Sequence, residues 1–192
     1  MNEITTIGID LAKNVFELWG VDHLGKPVLR KTVSRAKLLP ILANIPPCLV
    51  GMEACGGAHY WAREISKLGH DVRMIAPQFV IPYRKSGKND ANDAEAICEA
   101  VSRPHMRFVA IKSPEQQSAL LVHRVRESIK EARTATINQI RGLLMEFGMI
   151  LPQGAATFSR KLVELLADSS LPQEALAVFA EMRGHLLALE QR

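Results

Sequence analysis

Four acidic residues occupy positions from which they could act together on a metal ion. Asp10 ends the triplet GID inside an otherwise apolar segment, and Glu53 ends the triplet GME after a short apolar run. Asp90 and Asp93 lie three residues apart, so a helix would carry both on one face. A charge in a buried strand is costly unless it is paired or coordinates a metal. We therefore treat these four residues as candidate catalytic and metal-binding groups.

Four such carboxylates are suited to metal-dependent phosphodiester chemistry. Anions at close range repel strongly in a low-dielectric site, and a hard divalent cation removes that conflict. Oxygen-only ligands suit Mg²⁺ or Mn²⁺. Two such ions about 3.5–4 Å apart can activate a water or hydroxyl and stabilise the leaving oxygen.

A simpler interpretation of the same acids is local. Asp10 could cap a turn before the polar step AKN, Asp90 could cap a helix, and Asp93 could be a first-turn acid that the helix dipole favours. The choice between the two interpretations depends on whether the elements that carry these acids meet in space.

The loop before the aspartate pair is basic and is a candidate for binding nucleic acid. It carries Arg84, Lys85 and Lys88, which would bring phosphates toward carboxylates that bind cations. Gly87 would let this loop approach a ligand closely. We interpret these residues as offsetting the repulsion of an incoming phosphate backbone.

A second basic row lies on one face of a long predicted helix. Arg126, Lys130 and Arg133 form this row and are further candidates for contacting nucleic acid. Glu127 and Glu131 alternate with them, which is typical of a solvated helix surface. For this row we favour the solvated-surface interpretation.

The elements that must position the acids follow the order β-β-β-α-β-α-β. Strands are predicted in ITTIGIDL, VFELWGVD, VLRKTV, CLVGME and DVRMIA. Helices are predicted from Ser34 to before Pro46 and over His59–Leu68. Short turns between the first three strands predict an antiparallel meander, and helical crossovers predict parallel strands. The fold class is therefore α/β, with the mixed sheet and flanking helices of a ribonuclease-H-like domain.

A third helix is predicted over 89–101, and a helical region follows it. Ala94, Ile97, Cys98 and Val101 form one apolar stripe on the third helix. No proline interrupts 115–148, where apolar residues recur every three or four positions. The members of that seam are Val122, Val125, Ile129, Ala132, Thr136, Ile140, Leu143 and Phe147. The seam predicts a coiled coil or a helical hairpin.

Two domains are predicted from this pattern: 1–112, with the acids, and 113–192, the helical segment. A second helical pattern begins at Pro172 and is still helical at Arg192, from which we expect a fragment of a longer protein. We expect the helical segment to mediate homo-oligomerisation, as a dimer or a tetramer.

Composition excludes several classes of protein. The chain has 192 residues, 47% of them apolar, and a formal net charge of +4. This is typical of a soluble globular domain with a mild basic excess. Its three cysteines form no CxxC pair, which argues against a zinc ribbon and suits a reducing cytoplasm. We see no signal peptide and no apolar run long enough to cross a membrane.

Three blocks of the sequence resemble a known family. GIDLAK at 8–13, GMEACGGAHYW at 51–61 and GKNDANDAEAI at 87–97 are similar to the signature blocks of the DEDD transposases of the insertion-sequence-110 family. The likeness is to the insertion-sequence-1111 subgroup and to Piv-type invertases. It implies a RuvC-like domain in which Asp10, Glu53, Asp90 and Asp93 form a metal-binding tetrad.

The same resemblance implies partners and a location. It implies movement of a DNA element in the bacterial cytoplasm, with a structured guide RNA directing site choice. It also implies a coiled coil after this domain and a C-terminal domain with a serine nucleophile, which this sequence does not contain. No serine of this chain inherits that role.

Three other functions remain open from the sequence. The chain could be a nucleic-acid-binding and dimerisation module that cuts nothing, or a RuvC-like structure-selective nuclease. A sugar-kinase-like ATPase also opens with GID and a hairpin, but no second phosphate loop appears.

Cys55 and His59 could form a thiol site, although local helix packing explains their spacing better. Trp19, Tyr60 and Trp61 could stack on bases, but we expect core positions for them.

Overall fold

The computed structural model of the chain describes residues 3–84, 90–167 and 171–191. It divides into two compact units, Met1–Pro114 and Glu115–Arg192. The first unit holds the sheet, and the second is built from helices.

The first unit is organised around a mixed six-stranded sheet. Its strands are β1 (Thr6–Leu11), β2 (Val15–Val21), β3 (Pro27–Ser34), β4 (Leu49–Glu53), β5 (Asp71–Ile75) and β6 (Phe108–Val109). The spatial order is β3-β2-β1-β4-β5-β6. Strands β1, β2 and β3 form the predicted antiparallel meander, whereas β4 pairs in parallel with both β1 and β5. The predicted ribonuclease-H-like α/β fold is confirmed.

The helices of the first unit include two short segments, Pro77–Val80 and Ile81–Tyr83, that the sequence did not predict. They are α1 (Leu38–Leu42), α2 (Ala58–Ser66), α3 (Pro77–Val80) and α4 (Asp90–Val101), with 3-10 turns at Arg35–Lys37 and Ile81–Tyr83. Strand β6 and the short helical turns after Pro77 were not predicted, because segments of two to four residues carry too few positions for a periodic pattern.

The predicted first helix is shorter than expected. Ser34 precedes it but makes no side-chain cap, and the helix ends at Leu42 rather than running to Pro46. Pro40 is tolerated in its first turn, where a missing N–H costs little. The Asn44 side-chain amide donates to the carbonyl of Pro40, which satisfies a terminal acceptor and closes the helix early.

One face of the sheet is large and apolar. Ile7 and Ile9 on β1 lie beside Phe16 and Leu18 on β2, and all four are buried. They share one cluster with residues of α1 and α2, including Trp61, whose ring meets Phe16 edge-on at 5.1 Å. Because side chains alternate along a strand, the residues between them face the opposite side of the sheet.

The opposite face has a glycine on each of the two central strands and takes helix α4. Gly8 on β1 is paired with Gly51 on β4, and both lie beneath this helix. A Cβ atom built on Gly8 would lie 2.1 Å from the carbonyl oxygen of Ala94. The two glycines therefore allow the helix to approach the sheet closely. The four residues of the predicted apolar stripe, Ala94, Ile97, Cys98 and Val101, are all buried, as expected.

The second unit contains α5 (Pro114–Met145), α6 (Ala155–Ala167) and α7 (Gln173–Glu190). Its core is a cluster of buried apolar residues from all three helices and the segments between them: Ile137, Ile140, Leu144, Leu151, Phe158, Leu162, Leu171, Phe179 and Leu186. The long helix and the helix after Pro172 were predicted, whereas α6 was not. Pro152 and Gly154 mark a break in the sequence, and a new helix begins directly after it.

The predicted seam of α5 is buried only near its centre, since Leu143 is 39% exposed and Phe147 is 45% exposed. Thr136 and Ile140 are buried, but Val122 is 66% exposed and Val125 is 50% exposed. A coiled coil through this segment stays a prediction. In the described part of the chain, no helix combines the length and the apolar character that crossing a membrane would require.

Candidate active site

Asp10 and Glu53 lie at the same end of two neighbouring parallel strands. Ile9 on β1 is paired with Met52 on β4, so Asp10 and Glu53 are the next residues along each strand. Both are partly exposed. In open α/β sheets, ligands bind at the carboxyl ends of parallel strands. The sheet therefore places both acids where the sequence predicted a site.

Asp93 is brought to these strand ends by helix α4. A single guanidinium, that of Arg84, joins it to Glu53: the Arg84 Nη2 atom lies 2.8 Å from Glu53 Oε1, and Nε lies 3.0 Å from Asp93 Oδ1. Asp90 begins the same helix, but its side chain lies outside the described residues. Two predicted metal ligands, one on a strand and one on a helix, thus contact the same guanidinium.

The carboxylates of Asp10 and Glu53 both act electrostatically on the thiol of Cys55. Burial raises the pKa of the Cys55 thiol, and the carboxylates of Glu53 and Asp10 raise it further. Each carboxylate is therefore close enough to this sulfur to disfavour a thiolate. A thiol kept protonated in this way is a poor nucleophile, which weakens the alternative of a cysteine site.

His59, the other half of that alternative, has structural partners. Its Nδ1 atom accepts a hydrogen bond from the backbone N–H of Lys112 at 3.2 Å. The Lys112 side-chain nitrogen lies 3.4 Å from Nε2, and Arg63 donates to the carbonyl of Lys112 at 2.5 Å. These contacts hold the chain that follows β6 against α2.

Glu17 is an additional acid that the sequence pattern did not single out. It lies opposite Asp10 on β2, on the same face of the sheet. Its Oε2 atom accepts a hydrogen bond from Thr32 Oγ1 at 2.9 Å, which orients the carboxylate. The register of the first hairpin could have revealed it, since alternation in VFELWGV puts Glu17 on the side away from Phe16 and Leu18.

The residues present suit a hard divalent cation in their chemistry. The predicted ligands are carboxylates, and the Arg84 guanidinium shows that Glu53 and Asp93 can share one positive partner. Within residues 3–84, 90–167 and 171–191, no three His, Cys, Asp or Glu side chains are grouped as a metal site. The Arg84 guanidinium contacts one oxygen of the Glu53 carboxylate and one of the Asp93 carboxylate.

The basic candidates divide by location. Arg84 belongs to the acidic site itself, whereas Lys85 and Lys88 lie outside the described residues. On α5, the Lys130 ammonium pairs with Glu127 at 3.0 Å, and the Arg133 guanidinium pairs with Glu190 at 2.7 Å.

Arg126 and the aromatic candidates have more varied surroundings. Arg126 lines an apolar groove on the second unit with Leu121 and Val125. Trp61 is a core residue, as expected, whereas Tyr60 is 45% exposed.

The sheet order and the acids at its parallel strand ends define a ribonuclease-H-like protein with a candidate metal-dependent site. Residues 7–149 match a family described as transposase, the DEDD type of the insertion-sequence-110 group. The chain belongs to this family, and the resemblance seen in its three sequence blocks is confirmed.

Curated relatives agree with this assignment. A Pseudomonas aeruginosa protein named "Probable family 20 transposase" is 49% identical over 98% of this chain and 57% of its own length. The "Transposase for insertion sequence element IS1328" of Yersinia enterocolitica is 45% identical over 96% of this chain and 55% of its own length. The "Transposase for insertion sequence element IS1111A" of Coxiella burnetii is 44% identical over 89% of this chain and 47% of its own length. The chain thus spans about half the length of the curated relatives it matches.

Proposed function

We propose that this chain is the metal-dependent catalytic part of an insertion-element transposase. The observation that supports this most directly is the meeting of Glu53 and Asp93 at one guanidinium, beside the strand end that carries Asp10. Elements far apart in sequence supply these acids, and their grouping serves no need of the apolar core. The domain division that we propose is 1–112 for catalysis and 113–192 for helical association.

Asp10, Glu53, Asp90 and Asp93 would hold Mg²⁺ or Mn²⁺ in this proposal. A bound divalent ion supplies Lewis-acid stabilisation of the phosphodiester oxygens and lowers the pKa of a coordinated water. The chain itself fixes the acids: β1 and β4 hold Asp10 and Glu53 in register, and α4 presents Asp93 from above the sheet.

The basic residues would then place the nucleic acid. Arg84, Lys85 and Lys88 would contact phosphates next to the acids, because cationic side chains offset the repulsion between carboxylates and a phosphate backbone. We propose DNA as the substrate, since the relatives carry the names of insertion-element transposases. A guide RNA, a homo-oligomer formed through the helical segment and action in the bacterial cytoplasm complete the proposal.

A transposition assay with the full-length protein tests the role of the acids. Asp10→Asn and Asp93→Asn remove one negative charge each with almost no change in volume, and we expect each to reduce transposition at least a hundredfold. Asp71→Asn is the matched control, because Asp71 is an exposed acid on β5 whose partner is Arg73. Transposition by Asp10→Asn at the level of the control would refute the metal role.

A non-cleaving nucleic-acid-binding module is the second candidate. The Arg84 contacts favour it, because a guanidinium that stayed on Glu53 and Asp93 would make these acids part of a structural ion-pair cluster and not of a metal site. This candidate predicts nucleic-acid affinity that falls steeply with salt and that does not change with Mg²⁺. Cleavage of a DNA substrate that is lost in Glu53→Gln would exclude it.

A further inference from the structure

Arg84 contacts one oxygen of each of two predicted metal ligands, Glu53 and Asp93. Its Nη2 atom contacts Glu53 Oε1 and its Nε atom contacts Asp93 Oδ1, so one planar group spans the end of β4 and the start of α4. Arginine presents several donors in a rigid fork, which suits it to two carboxylates at once. A divalent ion held by the same two carboxylates would lie close to the guanidinium, and the repulsion between the two cations would make them compete for the site.

The surroundings of Arg84 permit it to leave. Its side chain is 38% exposed, and that of Asp93 is 32% exposed, whereas Glu53 is only 14% exposed. The residue follows the 3-10 turn Ile81–Tyr83 in an extended conformation, so the long side chain is held at one end of the site by its backbone. Rotation about its side-chain bonds would carry the guanidinium into solvent without moving the sheet.

We propose that Arg84 is an exchangeable counter-cation of the active site. Before a divalent ion binds, it neutralises Glu53 and Asp93 and holds the end of β4 and helix α4 together. When Mg²⁺ or Mn²⁺ takes those oxygens, Arg84 is displaced and becomes available to a phosphate of the nucleic acid. This inference rests on the proposed metal-binding function, and it adds a positioning residue that couples metal binding to substrate binding.

A purely structural ion pair makes different predictions from an exchangeable one. Removing a structural pair would lower stability and would weaken metal binding or leave it unchanged, because the acids would lose their alignment. Removing a competitor makes metal binding tighter, since no positive group has to be displaced first. The sign of the change in metal affinity therefore tests competition, and the state of the Arg84 guanidinium in the metal-bound protein tests its displacement.

Titration of the 192-residue protein with Mn²⁺, followed by the electron paramagnetic resonance signal of the free ion, measures this sign. We expect Arg84→Ala to bind Mn²⁺ about tenfold more tightly than the wild type, the middle of the range for coupled sites. Arg84→Lys should fall between the two, because an ammonium keeps the charge but lacks the fork. Arg73→Ala is the matched control, because Arg73 pairs with the exposed Asp71 on β5 and not with Glu53 or Asp93. It should bind as the wild type does.

A second measurement follows Arg84 directly. The Nε–H group of Arg84 donates to Asp93 in the metal-free protein, so its ¹⁵N-correlated resonance should be protected from solvent exchange. Arg84→Lys assigns that resonance, which should lose its protection when Mg²⁺ is added. Protection that persists at saturating Mg²⁺ would overturn the proposal.

The outcomes separate this inference from the proposed function. If the wild type binds Mn²⁺ and Glu53→Gln does not, while Arg84→Ala binds equally or more weakly, the metal site stands and the exchange is refuted. If neither the wild type nor Arg84→Ala binds Mn²⁺, the metal site itself fails, and the exchange fails with it. Tighter binding by Arg84→Ala alone, with Arg73→Ala unchanged, supports both.

Discussion

The close approach of α4 to the sheet makes Gly8 the most informative position to perturb. In Gly8→Ala, the new Cβ atom would lie 2.1 Å from the Ala94 carbonyl oxygen, 2.5 Å from the Cys98 backbone nitrogen and 2.8 Å from the Cys98 Cβ atom. Two of these three atoms belong to the helix backbone and cannot rotate away. The helix must therefore recede by more than 1 Å to reach ordinary contact distances.

The expected loss in the free energy of unfolding is about 3 kcal/mol, at the upper end of the range for overpacked cores, because the atoms in the way belong to the helix backbone. Gly51→Ala should cost somewhat less, about 2 kcal/mol, because its Cβ would lie 2.7 Å from the Val101 Cβ atom, which the helix backbone also fixes, and this overlap is smaller than that at Gly8. Gly56→Ala is the matched control in the same unit, because nothing lies within 4 Å of a Cβ there. It should change stability by less than about 0.5 kcal/mol.

Tryptophan fluorescence during urea unfolding is a suitable assay. The chain has two tryptophans, Trp19 on β2 and Trp61 on α2, so the signal reports on the first unit. A loss of about 3 kcal/mol corresponds to a melting temperature lower by roughly 10 °C for a unit of this size. Because α4 also carries Asp93, Gly8→Ala should weaken Mn²⁺ binding even where the protein stays folded. Equal stability of Gly8→Ala and Gly56→Ala would refute the role assigned to this contact.

Three further predictions concern groups outside the acidic site. The buried His70 accepts a hydrogen bond from the Cys48 N–H at Nδ1 and therefore donates one from Nε2 to the Leu42 carbonyl. His70→Ala would leave both backbone groups without this partner, so the free energy of unfolding measured in urea should fall by about 3 kcal/mol. A loss below about 1 kcal/mol would contradict this. Burial raises the pKa of Cys48 to about 11 and that of Cys98 to about 12, so the stability that these thiols contribute is complete below pH 9 and declines above it. Between pH 8 and pH 10 we expect a loss of about 1.4 kcal/mol for each thiol, and Cys98→Ala should show a smaller loss than the wild type; an equal loss would exclude Cys98 as a source. Gly142→Ala in α5 should raise helix stability by about 0.5–1 kcal/mol in a circular dichroism melt, because its Cβ would meet nothing within 4 Å; a lower melting temperature would show an unrecognised contact.

The strands that carry the site were predictable because their pattern is local. Alternation and β-branched residues around Asp10, and the apolar run before Glu53, mark two strands without knowledge of the fold. The apolar stripe of α4 likewise follows from helical periodicity, and its members are buried. Turn lengths then restrict the sheet to few topologies, which is why the antiparallel meander and the parallel crossovers were also predictable.

The contacts of the candidate site were less predictable, because they depend on register and on close approach. The importance of Gly8 and Gly51 follows only from the helix that lies on them. Glu17 becomes part of the acidic surroundings through its pairing with Asp10 in the first hairpin. The role predicted for Arg84 was contact with phosphate, whereas the structure places its guanidinium between two acids.

The sequence by itself determined the family and the α/β class and predicted the four acids of the candidate site, since each depends on residue types at short spacing. Only the tertiary structure decided which partner those acids meet, and where the seam of α5 is covered, as at Ile140, or exposed, as at Val122. The physical reason is that the position of a charge or an apolar face along the chain does not set its free energy. Its free energy is set by whatever the fold brings within a few ångströms, and residues distant in sequence supply those neighbours.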